Sequence, residues 1–338
     1  MTRLLKNQRG IALFLVLWVM ALLTVIAGEF CHAVRTEVNV TRNFKEGTEA
    51  YYIAVAGVSW AVGELVMDDL TRGVEQMPGG GGEPAGDRRR FNVDIPPVPY
   101  GNGRFKVEKE NESGKVNLNR AGVPLLRMML NGFSISQETR DIIVDSILDW
   151  RDKDGLRHVN GAENEYYLAL PEPYQCKNGD FTTIEELLLV RGVTPEIFYG
   201  GLREMVSVYQ EMEKRVEEGT LRRYEADFHR ININAASPRM LRSFPGMTEE
   251  AVRAIIAFRE KKDFQSLPEV FAVVGSDSYA AISSYITLKP SPYYIIRSTG
   301  MLPESRTRQG VQAVVKIGRS LPKGYEIIQW IDDLEYRS

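Results

Sequence analysis

The sequence predicts an α+β protein: a long N-terminal helix packed on a small antiparallel sheet, with a large all-α insertion between two of the strands. Three observations carry this. From Glu29 to about Leu70 there is no proline, and apolar residues recur at helical spacing. "RFKVEKE" (Arg104–Glu110) alternates as a half-exposed strand does, and three segments from Tyr293 onward, separated by turn signals, return to strands. Between these flanks, Val116 to about Leu288 reads as mostly helical.

The chain has 338 residues, 43% apolar and 26% charged, with a net charge of −3. That suits two or three globular domains and gives no global pull toward nucleic acid or anionic lipid. Two cysteines, Cys31 and Cys176, make no disulfide framework. Three histidines, His32, His158 and His229, share no ligand spacing, which argues against a histidine metal site.

The first element begins with a short basic segment, Arg3, Lys6 and Arg9, that ends at Gly10. Ile11 to Gly28 then carry no charge. As a helix this run rises about 27 Å, close to the thickness of a bilayer core. The positive-inside rule puts the N-terminus in the cytoplasm and the body across the membrane. A discarded signal peptide, a plain anchor and a segment cut at its start and retained all compete. The helical pattern continues past Gly28, where Tyr51, Tyr52, Val55, Val58, Val62 and Leu65 form a stripe with Glu64 and Asp68 opposite. Tyr51–Leu65 is expected to pack on its own domain.

Met77–Gly103, rich in glycine and proline, reads as a flexible connector, not a phosphate loop, since no Gly-Lys-Ser/Thr follows. The later strands are Tyr293–Gly300, Gly310–Gly318 and Gly324–Ile331. The helical block contains a repeat: "VNLNRAGVPLLRMML" (Val116–Leu130) matches "ININAASPRMLRSFPG" (Ile231–Gly246), and "FTTIEELLLVRGVTPEIF" (Phe181–Phe198) has a similar ending. These units resemble helix–hairpin–helix modules, whose glycine turn in many relatives grips a phosphate. Here Gly246 is followed by Met247, Thr248, Glu249 and Glu250, and "RGVTPE" at Arg191–Glu196 lacks the second glycine. Carboxylates where a phosphate would approach argue for a structural use of the module. A membrane-anchored DNA-binding protein of an uptake or type IV pilus system stays as the alternative.

One loop is densely acidic. In "DWRDKDGLRHVNGAENEYYLAL" (Asp149–Leu170), Asp152, Asp154, Asn160 and Glu163 fall at positions one, three, nine and twelve, and Glu165 follows. That is the oxygen-ligand pattern of a calcium loop, with the glycine at four instead of six. The competing reading is a solvated polar loop in which Asp149 or Asp152 ends a helix. No Gly-x-Ser-x-Gly elbow, His-Glu-x-x-His or Cys–His pairing appears, so the chain is read as non-enzymatic, with no required cofactor.

The basic leader ending in glycine, with the apolar helix running into "EAYYIAVAGVSWAVGEL", resembles type IV pilin-like proteins. "RGIALFLVLWVMALL", "VNLNRA", "DWRDKDG…NGAENEYY", "LLLVRGVTPEIF" and "ININAAS" make it similar to one branch, the minor pseudopilin K family of type II secretion systems. The resemblance implies a prepilin leader at 1–10, cleavage between Gly10 and Ile11 by a prepilin peptidase, and methylation of Ile11. A membrane and filament-core helix would span 11–28. A pseudopilin domain would comprise 29–115 and 289–338, with the helical domain inserted at 116–288. Most pilin-like proteins place a glutamate at the fifth mature position, where this chain has Leu15. The glutamate is thought to pair with the terminal ammonium of the subunit ahead, so leucine is tolerated best at the tip. The implied role is a minor pseudopilin that starts pseudopilus assembly with minor pseudopilins I and J on an inner-membrane platform and supports export of folded proteins. Ile11 departs mildly from the usual phenylalanine or methionine.

Overall fold

The computed structural model describes residues 9–75, 90–209, 227–303 and 305–332. α1 (Arg9–Glu75) is unbroken for 67 residues, about 100 Å at 1.5 Å per residue. Residues 12–45 are exposed all round the helix. From Ala50 onward α1 acquires an inner face, with Ile53, Ala54, Val58, Ala61 and Leu65 buried.

That face lies on a five-stranded antiparallel sheet of order β1-β2-β7-β8-β9. Its strands are β1 (Val98–Tyr100), β2 (Gly103–Asn111), β7 (Tyr293–Met301), β8 (Arg308–Ile317) and β9 (Tyr325–Asp332). Phe105, Val107, Ile296, Val311 and Val315 meet the helix stripe in one core. The approach is close at Gly300, where any Cβ would strike the Ala50 carbonyl. Such contact needs glycine on the strand.

Three features differ from the sequence reading. Residues 77–89 of the expected connector lie outside the described residues, but 90–103 are structured. Phe91 is buried against Tyr294, Arg90 bonds Asp263, and β1 pairs with β2. A three-residue strand has no readable period, which hid it. Glu64 and Asp68 do not form a solvated face; Asp68 is buried, and both act on the buried Lys109 of β2. Burial pushes the Lys109 ammonium down to about 8, against the opposing pull of these two carboxylates. The third is that the insertion is not purely helical.

The insertion leaves the sheet after β2 and returns at β7, its neighbour. The first half runs from β3 (Val116–Asn117) through α2 (Val123–Leu130), α3 (Gln137–Arg151), α4 (Asn164–Tyr167), α5 (Pro195–Ile197) and α6 (Arg203–Met205) to β4 (Val206–Ser207). The second runs from β5 (Ile231–Asn232) through α7 (Pro238–Ser243), α8 (Glu249–Lys261), α9 (Leu267–Val274) and α10 (Ser276–Ile282) to β6 (Ile286–Thr287). β3–β4 and β5–β6 are parallel ribbons, one closing each half.

The repeat recurs atom by atom. Asn119 Nδ2 donates to the Phe181 carbonyl at 3.0 Å and its Oδ1 accepts the Phe181 amide at 2.7 Å. Asn234 does the same with Phe264, at 3.0 and 2.9 Å. Arg151 donates to the Leu118 and Ala121 carbonyls, and Arg259 to those of Ile233 and Ala236. Both halves share one hydrophobic core.

The strand ends fix where the block sits. Gly103 lies near Ile53, and Gln309 near Gly47, whereas Lys109 lies by Glu64 and Asp68 and Arg319 reaches the Asp69 carbonyl. β2 therefore points away from the apolar end of α1 as it approaches Asn111. The insertion lies at the end of the molecule remote from the apolar segment. Asn111 staples its two roots, donating to the Ser291 carbonyl at 2.8 Å and accepting the Ser291 amide at 2.9 Å.

Candidate functional site

Gly10 and Ile11 fall in the first turn of α1, and residues 1–8 lie outside the described ones. Leu15 is 57% exposed among other exposed apolar side chains. Among the described residues one helix is long and apolar enough to cross a membrane, and it is this one.

Past the apolar run, α1 keeps an uncharged outer face. Tyr52, Ala56, Ser59, Gly63, Met67 and Leu70 follow at helical steps along it. This face borders a groove of about 320 Å³, floored by Val58, Val62 and Val66 and walled by Tyr325, Ile327 and Trp330 of β9. Nothing lies within 4 Å of where a Gly63 Cβ would stand. The small residues Ser59 and Gly63 along this groove admit the close approach of another helix.

The acidic loop is built on α3. Asp145 and Asp149 share one helix face four residues apart and are both buried. Asp145 Oδ2 accepts the Asn160 amide and Nδ2, both at 3.0 Å. Asp149 Oδ1 accepts the His158 amide at 3.0 Å and meets His158 Nδ1 at 2.5 Å. Asp149 and His158 come together with Asp152, ligand-type atoms of all three lying within 4.8 Å of one another. Five buried oxygens here have no hydrogen-bond partner: Asp149 Oδ2, Asp152 Oδ1, both carboxylate oxygens of Glu163, and Asn178 Oδ1. Asn178 adopts φ 47°, and its Nδ2 holds the Asp154 carbonyl at 3.2 Å. A side chain on Gly161 would fill the space beside Asp149 Oδ2.

The electrostatics agree. Burial, then the charges of Asp154 and Asp149, raises the Asp152 carboxyl; burial, then Asp149 and Asp152, raises Glu163. The hydrogen bond to Asp149 raises His158 despite opposing desolvation. Orphaned, mutually repelling oxygens in a cradle that a single Cβ would fill fit a hard divalent cation.

Of the residues proposed from the sequence, Asp152 and Glu163 belong to this cluster. Asp154 is exposed and accepts the Leu156 amide at 2.9 Å, Asn160 serves Asp145, and Glu165 is exposed on α4. Asp149 and Asn178, with their orphaned oxygens, were missed, and so was His158 as the group that orients Asp149. The four-residue step from Asp145 to Asp149 beside an acidic loop was the available signal for Asp149. Asn178 comes from another segment and had none.

The turn at Gly246 (φ 65°) leads into α8, whose Ala251 amide donates to the Thr248 hydroxyl at 3.2 Å. Glu249 and Glu250 occupy the first turn, and Arg242 is paired with Glu249. This end offers an anion no free cation among these residues.

A long helix, apolar at its start and packed on a small antiparallel sheet at its end, is the arrangement that the resemblance to pilin-like proteins implies. Comparisons with known proteins narrow this. Residues 103–211 match the family described as type II secretion system (T2SS), protein K. The chain is 26% identical over 300 residues to type II secretion system protein K of Pseudomonas aeruginosa, covering 83% of each. It is 28% identical over 209 residues to that of Pectobacterium carotovorum subsp. carotovorum, covering 57% of this chain and 61% of the other. The crystal structure of the GspK-GspI-GspJ complex from enterotoxigenic Escherichia coli matches with a TM-score of 0.56 at 15% identity. That match covers 87% of this chain and 99% of the other, and it shows a shared fold. These findings agree on the family that the sequence resembles, and the chain is similar to type II secretion system protein K over most of its length.

Proposed function

We propose that the chain is the minor pseudopilin at the tip of a type II secretion pseudopilus. Prepilin peptidase cuts between Gly10 and Ile11 and methylates Ile11. α1 stays in the inner membrane, N-terminus cytoplasmic and body periplasmic, until assembly on the platform. The protein then binds minor pseudopilins I and J and supports export of folded proteins across the outer membrane. One observation carries this: the inserted block lies at the far end of the molecule from the apolar segment. A subunit stacked above would meet that block, whereas partners below meet the open face of α1 and the β9 groove. Leu15 fits the same place, since a subunit with none ahead needs no glutamate. A nucleic-acid role is disfavoured by the acidic first turn of α8.

The test is co-purification of the full chain in detergent with minor pseudopilins I and J of its own system. One copy of each is expected. Gly63→Trp, which meets open space in the free chain, should cut recovery of the partners at least tenfold while leaving the melting temperature unchanged. Homopolymers of the chain, or unchanged recovery by the variant, would overturn the reading.

We also propose that Asp149, Asp152 and Glu163, with the Asn178 carbonyl, hold calcium. His158 orients Asp149 from outside the ligand set, its Nδ1–H directed at Oδ1.

A further inference from the structure

The inward positions of β2 are Phe105, Val107, Lys109 and Asn111. Phe105 and Val107 belong to the core, and Asn111 staples the roots of the insertion; Lys109 does neither. It is 3% exposed, and its Nζ is buried with no hydrogen-bond partner among the described residues. An ammonium enclosed without an acceptor is among the costliest groups a fold can hold.

The surroundings offset little of that cost. Opposite on β7 stands Ile296, fully buried, and the next inward residue along β7 is Tyr294, a phenol whose ring lies against Phe91. The Lys109 carbonyl accepts the Asn92 amide at 3.2 Å. Glu110 and Arg297 pair on the outer face of the sheet. From α1 come Glu64, half-buried, and Asp68, buried, about one turn apart. These two carboxylates attract the ammonium through space without bonding to it.

We propose that Lys109 makes the seating of the last turns of α1 on β2 sensitive to pH: the charged ammonium favours lifting of the helix end, and the neutral amine lets it close. Neutral, Lys109 packs as the alkyl chain it mostly is. Charged, it gains hydration whenever residues 60–70 of α1 swing clear, so local opening costs less. Burial holds the seated ammonium at about 8, against an ordinary value of 10.5. Seating is therefore weakest below pH 8 and strengthens as pH rises toward the ordinary value. Asn111 lies two residues further along β2, so the change is felt where the block is hung.

The test is amide hydrogen exchange on the full chain in detergent and chelator, read by mass spectrometry and corrected for intrinsic rates. Between pH 7 and pH 9 the opening constant of residues 60–70 should fall about tenfold. Lys109→Met should keep it low at both pH values, and Lys109→Arg, which stays charged, should keep it high at both. An unchanged constant in the natural chain, or a full pH response in Lys109→Met, overturns the proposal. So does a fall of equal size across β7, β8 and the block, which would assign the response to global unfolding. If Lys109→Arg does not fold, the methionine variant decides alone.

Discussion

Asp149 concentrates what single residues contribute. It ends the buried face of α3, orders His158 through one oxygen and leaves the other without a partner beside Asp152 and Glu163. The sign of its neighbours' shifts makes a pH prediction. Asp152 and Glu163 hold their protons more tightly folded than unfolded, as does His158. Their stabilising contribution is complete below the ordinary values and is lost as pH rises through the raised ones. In chelator this cluster should therefore weaken the fold from about pH 4.5 upward, and a bound cation should offset the loss. The expected outcome is a calcium-induced rise in melting temperature that is larger at pH 8 than at pH 5 and mostly absent in Asp149→Asn. A calorimetric scan with no calcium response at either pH would remove the site. The loop's acidity was legible in the sequence, its geometry only in part. Counting along the chain found Asp152 and Glu163, but a cradle is assembled from α3, the loop and the segment around Asn178, and linear spacing cannot see across those.

At the scale of elements, the duplicated Asn clamp explains why "VNLN" and "ININ" recur. Each outer Asn pins a distant phenylalanine's backbone with two buried hydrogen bonds, and each Arg closes the same turn on its carbonyls. Removing the amide strands both a buried N–H and a buried C=O. Asn119→Ala and Asn234→Ala should each cost about 2–4 kcal/mol, read by urea unfolding with equal slopes. A cost below about 0.5 kcal/mol in either would show that the clamp is incidental. β2 was legible from alternation, because it buries one face, whereas β7 and β8, buried over most of their length, were legible as apolar runs between turn signals. β3 to β6 were not, because a two-residue ribbon shows no period and is held by asparagine side chains instead. β1, three residues long, was hidden for the same reason.

The whole molecule is a helix, a sheet and a block that hangs from neighbouring antiparallel strands. Processing at the helix's start is the readiest test of the reading as a whole. N-terminal sequencing of chain recovered from membranes should begin at Ile11; a start at Met1 or Gly28 would end the pilin-like reading. The broad plan was legible because its largest parts, an apolar helix and an interruption between strands, are written in runs of tens of residues. The placement of the block was not, since it follows from how β2 is laid across α1.

The block's attachment has a mechanical side. Besides the roots stapled by Asn111, it is held by the Arg90–Asp263 and Asn92–Ala235 strap, and by Tyr209, which stacks on Tyr293 and bonds Gln329 on β9. Two neighbouring threads alone would leave a hinge free to swivel about one axis. Three separated mounts form a tripod, stiff against torsion. A thrust along α1 then arrives at the far end as displacement, undissipated by rotation of the load.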